Sequence, residues 1–482
     1  MTSTAATSGS RRSWPPWARR SKGCAGEGRR TPRRAGLRPA LARLPADDAG
    51  PARHRRRRRA GRGGGAGRRA RRRGLAERGG LDSRHRQRVA SHSKTFTSVG
   101  IMRLRERRRL GLDDEAGRHV PGLHPEVAAT TIRQLLSHGA GIIRNGRDGG
   151  HFADRKPYPD AAEIARDLAE PPVIAAETRL KYSNHGYALL GRVIEAVTGE
   201  PYHDWIMREV VRAAGLTETT PDAPIPGGVP FARGHTLPLG GGRRLPIPGD
   251  NRTDAYAAAA GFVSTASDLA RFFARLSPEA PESILSPASR RALVHRQWRD
   301  PYSPFDRHYG LGTICGATGG WEWFGHSGSF QGYSSRTVVV PEQGLTVSVL
   351  VNAITAPADP IGDGVLHLLR LFAERGAPGE AVQGWTGRYA NLFGTVDLLP
   401  CGDRVLVALP AFWNPIGHVA EVAVEGPDAG RIVKSGGFGS QGEEVRLVRD
   451  AEGAIAELWL AGTRSVPEAV HAAELEERYG AG

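Results

Sequence analysis

The sequence predicts an α+β protein. An antiparallel sheet flanked by helices is followed by a small antiparallel β-barrel and preceded by a disordered tail. Three observations carry this. Apolar residues recur at helical spacing in several stretches between residues 92 and 276. From residue 321 to 351 the pattern changes to period two. Beyond a Gly- and Pro-containing linker at 376–384, short strand-like runs separated by turn residues continue to about 475. The 482 residues suffice for two or three domains. We divide them into a tail (1–80), a main domain (86–376) and an all-β module (385–475).

The tail holds 23 Arg, one Lys and four acids, and its only large apolar side chains are Met1, Trp14, Trp17, Leu37, Leu41, Leu44 and Leu75. Such a segment cannot bury enough surface to offset its ordering entropy. The net charge of +17 therefore sits in the tail, because the remaining chain has 43 basic and 46 acidic residues. That balance gives no reason to expect a specific nucleic-acid partner for the folded part. The run "RHRRRRRAGRGGG" reads as a solvated tail before it reads as a nucleic-acid-binding arm.

Order is expected from about Val89. Residues 92–109 read as a helix with Phe96, Val99, Met102 and Leu104 on one apolar face. "ATTIRQLLSHGAGI" reads as a short helix, capped by Thr130 or Thr131 and ended by Gly139 and Gly141. An amphipathic helix at 184–199 stops at Gly199, and one at 264–276 opens on a Ser/Thr cap. "WEWFGHSGSF", "YSSRTVVV" and "LTVSVLV" read as three antiparallel strands with "PEQG" as the second turn, and 364–376 as a closing helix. In the module, "TGRYANL", "DRVLVAL", "EVRLV" and "AELWLAG" read as strands. No internal repeat is evident.

Cys24, Cys315 and Cys401 have neither disulfide-framework nor metal spacing. His119, His124, His138 and His151 lack metal-type pairing and read as surface or structural residues, so no metal or cofactor is expected. No run approaches a membrane span of roughly 18 apolar residues. "SRRSWPPWARR" superficially matches a twin-arginine signal, but no apolar stretch follows, and the chain as written is expected in the cytoplasm.

Only five of 67 basic residues are Lys, which makes Lys94, three residues after Ser91, conspicuous. Residues i and i+3 share a helix face. A serine hydroxyl is a poor nucleophile until a base takes its proton. A buried lysine can be that base, whereas arginine stays protonated. Alone, Ser-x-x-Lys is a weak signal. Two further elements join it: Tyr182-Ser183-Asn184 and His326-Ser327-Gly328.

With these three motifs in this order, the chain resembles the serine β-lactamase and penicillin-binding-protein superfamily, in its class C-like branch of D-peptidases, D-aminopeptidases and esterases. The flanking "TIRQLLSHGAGI", "AGFVSTASDLARF" and "YGLGT" agree. The resemblance implies a β-lactamase/transpeptidase-like sheet and a serine hydrolase forming an acyl-enzyme with a small-molecule or peptide substrate. It implies that Ser91 is the nucleophile, Lys94 its base and Tyr182 a proton relay. Asn184 would orient the substrate, His326 and Gly328 would line the third wall, and the backbone N–H groups of Ser91 and Ser329 would form the oxyanion hole. Class C lactamases usually carry Lys where this chain has His326, whose charge would change near pH 6.5. An ester or a D-amino-acid-containing peptide or amide is therefore the expected substrate. The alternatives are a β-lactamase or D-alanyl-D-alanine carboxypeptidase, and a catalytically weak binding protein of this fold. The all-β module resembles the lipocalin-like domain of such hydrolases, which either reaches over the site or is a passive appendage.

His92 is expected to point off the Ser91–Lys94 face, Ser93 to pack within the helix, and Lys181 to be solvated or to bias Tyr182. Trp321, Trp323, Phe324 and Phe330 either line an apolar pocket or pack the sheet. The chain departs from the family before Ser91, where the family builds two strands ending in a phrase like Thr-Pro-Asp-Thr. With GC-rich codons, "DSRHR" read one base later yields that phrase. Residues 1 to about 87 are thus expected to be out of frame, leaving the C-terminal strands without their usual neighbours and lowering soluble yield. The nucleotide sequence decides this.

Overall fold

The computed structural model describes residues 81–480, apart from 226, 304–305, 412–418 and 437–438. The tail at 1–80, with its expected disorder, lies outside the described residues. Order begins earlier than expected. Strand β1 (Gln87–Arg88) precedes the hairpin of β2 (Gly234–His235) and β3 (Pro246–Ile247), and pairs antiparallel with β4 (Val263–Ser264). Arg88 makes this possible. Its guanidinium is fully buried, yet it donates to Asp222 Oδ1 (2.9 Å) and to the carbonyls of Gly249 (2.9 Å), Gly261 (2.6 Å) and Asn251. A buried charge is tolerated only with such partners.

Helix α1 (His92–Glu106) runs through the core and is buried on every side from His92 to Met102, not amphipathic as its apolar spacing suggested. Its polar residues are matched by partners on all flanks. Thr95 donates to the Gly312 carbonyl (2.7 Å), Thr97 to that of Ala258 (2.7 Å) and Ser93 to that of Ala90 (2.5 Å). Helices α2 (Ile132–Ser137), α3 (Asn184–Thr198) and α4 (Ala266–Ala274) pack around it. Thr131 caps α2 in a reciprocal box with Gln134, and Thr265 caps α4 through the Asp268 N–H.

The main sheet has six antiparallel strands, where the period-two pattern gave three. They are β5 (Trp298–Arg299), β6 (Arg307–Tyr309), β7 (Ile314–Thr318), β8 (Trp321–Phe330), β9 (Tyr333–Val340) and β10 (Leu345–Val351), in the order β10-β9-β8-β7-β6-β5. Among the described residues β10 is an edge strand. Helix α5 (Ala358–Arg375) covers the face carrying Trp321, Trp323 and Val338, so the tryptophans pack the sheet rather than line a pocket.

A closed eight-stranded barrel follows: β11 (Gly387–Asn391), β12 (Gly394–Cys401), β13 (Arg404–Ala408), β14 (Ala420–Val424), β15 (Ala429–Lys434), β16 (Glu444–Arg449), β17 (Ile455–Leu460) and β18 (Thr463–Pro467). Trp385, Val405, Val422 and Leu458 fill its interior. A terminal helix, α6 (Glu468–Tyr479), extends past the expected boundary at 475. The barrel rests on α5 through Leu371, Cys401 and Leu406, and Arg375 meets Glu421 at 2.9 Å. No described helix is long and apolar enough to cross a membrane.

Candidate active site

Ser91 stands at the start of α1, just after Ala90, whose φ of +50° is unusual for a residue with a side chain. One turn on, Lys94 is completely buried. Its Nζ lies 3.2 Å from Ser91 Oγ, 2.7 Å from Asn184 Oδ1 and 2.8 Å from the Ala259 carbonyl oxygen. That carbonyl belongs to Ala257–Gly261, a single π-helical turn. Its small side chains allow close approach to α1. Burial, and then the charge of Arg144, hold the Lys94 amine well below its ordinary pKa.

Tyr182 donates from its hydroxyl to Ser91 Oγ at 2.8 Å, and burial pushes its phenol up to about 12. Ser183 caps α3 by accepting from the Gly186 N–H (2.8 Å), which fixes Asn184 as the first helical residue. Asn184 donates from Nδ2 to Asn145 Oδ1 (2.7 Å). Both ends of its amide are thus engaged within the protein, so its immediate work is to hold Lys94.

Gly328 explains the third motif. A Cβ there would stand 2.3 Å from the Val89 carbonyl oxygen and 3.0 Å from Ala90 Cβ. Only glycine lets β8 lie against the Ser91 turn. Strand β7 pairs with β8 only as far as Gly325, so residues 326–330 have β9 on one side and, among the described residues, no paired strand on the other. His326 is buried. Its Nδ1 is 2.7 Å from the Ser327 carbonyl oxygen and its Nε2 is 3.1 Å from the Tyr309 hydroxyl. Burial, then the proximity of His92, hold it well below 6.5. Burial thus opposes the charge change near that pH which the sequence suggests, and favours a neutral His326 in the wall of the cleft.

Ser91, Tyr182, Asn184, His326, Gly328 and Ser329 line one cleft of about 590 Å³, within the range of small-molecule sites. Sequence reasoning missed Asn145, Ala259, Arg144 and Arg307. The two arginines also line the cleft: Arg144 lies over the Tyr182 ring, 5.3 Å from its centroid, and among the described residues neither guanidinium meets a carboxylate at ion-pair distance, although Asp359, which feels the charge of Arg307, lines the same cleft. Neighbouring arginines are paired: Arg147 with Glu170 (3.0 Å), Arg296 with Asp306 (3.4 Å) and Arg336 with Asp363 (3.0 Å). No described barrel residue lines the cleft.

The remaining candidates fall away from it. His92 is tied to Thr337 Oγ1 (3.0 Å) and the Val89 carbonyl oxygen (3.1 Å), and Ser93 accepts from the Phe262 N–H (3.0 Å). Lys181 is not among the groups acting on the Tyr182 phenol; Arg144 and Arg307 are. Among the described residues no His/Cys/Asp/Glu cluster could hold a metal.

Fold and motifs together define a serine β-lactamase/transpeptidase-like architecture. The Beta-lactamase family model matches residues 52–371, and the chain belongs to that family. "Penicillin-binding protein 4" of Amycolatopsis lactamdurans is 31% identical over 283 residues, which are 54% of this chain and 71% of that protein. "Penicillin-binding protein 4*" of Bacillus subtilis strain 168 is 32% identical over 136 residues, 27% of this chain and only 29% of that one. Among solved structures, the octameric penicillin-binding protein homologue from Pyrococcus abyssi is similar at TM-score 0.56 and 25% identity, covering 81% of this chain and 90% of that chain. A D-stereospecific amidohydrolase from a Streptomyces species is similar at TM-score 0.51 and 25% identity, covering 58% and 85%. Family and neighbours together support a hydrolase.

Proposed function

We propose that this protein is a serine hydrolase that acts through an acyl-enzyme on Ser91, with an ester or a small D-amino-acid-containing peptide or amide as substrate. The set of partners around the Lys94 amine carries the reading. Asn184 Oδ1 faces Lys94 as an acceptor, and the Ala259 carbonyl oxygen can only accept. A neutral amine spends its two N–H bonds there and leaves its lone pair for the Ser91 hydroxyl, 3.2 Å away. Tyr182, with its phenol pushed up to about 12, stays protonated and donates to the same oxygen. Lysine is then the base and tyrosine the relay.

In this mechanism Ser91 Oγ attacks the substrate carbonyl carbon as its proton passes to Lys94. The carbonyl oxygen becomes an oxyanion facing the N–H groups of Ser91 and Ser329; each such donor is typically worth about 3–4 kcal/mol. Collapse breaks the bond to the leaving amine or alcohol, which takes the proton from Lys94 through Tyr182. Water then attacks the acyl ester as its proton passes to Lys94, and the acyl–oxygen bond breaks as Lys94 returns that proton to Ser91 Oγ, restoring the neutral amine and the hydroxyl. The amidohydrolase among the neighbours and the neutral His326 favour the D-amino-acid amide and ester branch.

Intact-mass detection of an adduct with a fluorophosphonate and with a panel of esters, D-peptides and lactams tests the reading. The adduct is expected on wild type and absent from Ser91→Ala. Folded wild type that acquires no adduct favours a binding protein of this fold instead.

A second reading, a β-lactamase or D-alanyl-D-alanine carboxypeptidase, is favoured by the unpaired Arg144 and Arg307. Two permanent charges in the cleft suit a substrate carboxylate. It is also favoured by the penicillin-binding proteins among the relatives. If it holds, removing either arginine raises KM for acidic substrates alone.

A further inference from the structure

His138 lies outside the three motifs and donates nothing to Ser91, yet it touches the chain on both sides of Tyr182. It terminates α2 in the left-handed region, with φ +64°. That turn aims its carbonyl oxygen at the Lys181 N–H (2.9 Å), and its ring Nδ1 accepts from the Ser183 N–H (3.2 Å). Between these two bonds its ring packs on the Tyr182 ring, with centroids 4.1 Å apart. The same ring lies 4.6 Å from that of Tyr309, whose hydroxyl meets His326.

With Nδ1 accepting, the ring proton sits on Nε2, which is buried and has no partner among the described residues. Leaving a buried N–H unpaired carries its full desolvation penalty. A phenylalanine would fill the same space without that cost, but it could not accept from Ser183. Burial, with the permanent charge of Arg144 as a lesser cause, holds the imidazole well below its ordinary pKa, which leaves Nδ1 free to accept.

We propose that His138 is a positioning residue: by accepting from Ser183 and Lys181 it fixes the backbone around Tyr182, and so sets the phenol on Ser91. This rests on the reading of Ser91 and Tyr182 given above. His138→Gly suits the left-handed turn and removes the acceptor. His138→Asn restores an acceptor, Oδ1, near the position of Nδ1, and also tolerates positive φ.

The test is the rate of fluorophosphonate labelling at Ser91, measured below the melting transition of every variant. His138→Gly is expected to slow labelling about tenfold, the equivalent of one lost hydrogen bond. His138→Asn should return to within about threefold of wild type, about half that energy. In a Tyr182→Phe background, His138→Gly should add less than about a twofold loss, because no phenol is left to place. A full additional loss in that background, or no recovery with Asn, overturns the proposal while leaving Ser91 chemistry intact. A folded wild type that never labels removes both readings together.

Discussion

The contact between Gly328 and the Ser91 turn sets how closely the N–H groups of Ser91 and Ser329, the proposed oxyanion donors, approach, and Gly328→Ala probes it with one methyl group. The new Cβ would lie 2.3 Å from the Val89 carbonyl oxygen, 2.6 Å from Ser335 Oγ and 3.0 Å from Ala90 Cβ. The serine hydroxyl can rotate away, but the Val89 carbonyl cannot, because it already accepts from the His92 N–H at the start of α1. Restoring ordinary contact therefore requires a shift of about 1 Å between β8 and the turn. Ser91 and Ser329 stand on opposite sides of that contact, so the displacement opens the space between their N–H groups. A misplacement of about 1 Å costs on the order of 10²-fold in rate, or about 2.7 kcal/mol of barrier. Overpacking should also cost about 1–3 kcal/mol of stability. Fluorophosphonate labelling rates and thermal melts of both proteins measure the two effects. Wild-type labelling by Gly328→Ala, with an unchanged melt, would refute both the close approach of β8 and the oxyanion account.

Four further outcomes are expected. Lys94→Arg should lose about 10²–10⁴-fold in labelling rate, because a guanidinium has no lone pair to offer. In wild type the rate should fall as pH drops through the lowered Lys94 pKa; Arg144→Gln removes a charge that helps to lower it, so that limb should move to higher pH with a neutral reagent. Arg144→Gln and Arg307→Gln should each raise KM by roughly tenfold for peptides with a free carboxylate, while the KM of neutral esters, whatever the shift in their pH–rate limb, stays unchanged; equal effects on both KM values would sink the second functional reading. Trp385→Ala, emptying the barrel core, should destabilise the barrel by about 3–5 kcal/mol in a denaturant melt while labelling per folded molecule is retained.

The catalytic reading was legible because its parts are local in sequence. Ser91 and Lys94 are one helical turn apart, and Tyr182 and Asn184 flank a serine cap. What completes the site is not local. The Ala259 carbonyl comes from a π-helical turn that no periodicity announces, and Asn145, Arg144 and Arg307 come from loops or strand ends placed by tertiary contacts. Position and charge also separated: the motif placed His326, but only its burial between Tyr309 and Ser327 gives its neutral state. Strands β5 and β6 escaped notice because two or three residues carry no pattern of their own and are held by pairing with their neighbours. Helix α1 misled because apolar spacing says nothing of the partners that let Thr95, Thr97 and Lys94 be buried opposite.

The barrel closes on itself, packs Cys401 and Leu406 on Leu371 of α5, and puts no described residue into the Ser91 cleft. Substitutions on the outward faces of these strands are therefore expected to act on stability before they act on the geometry around Ser91.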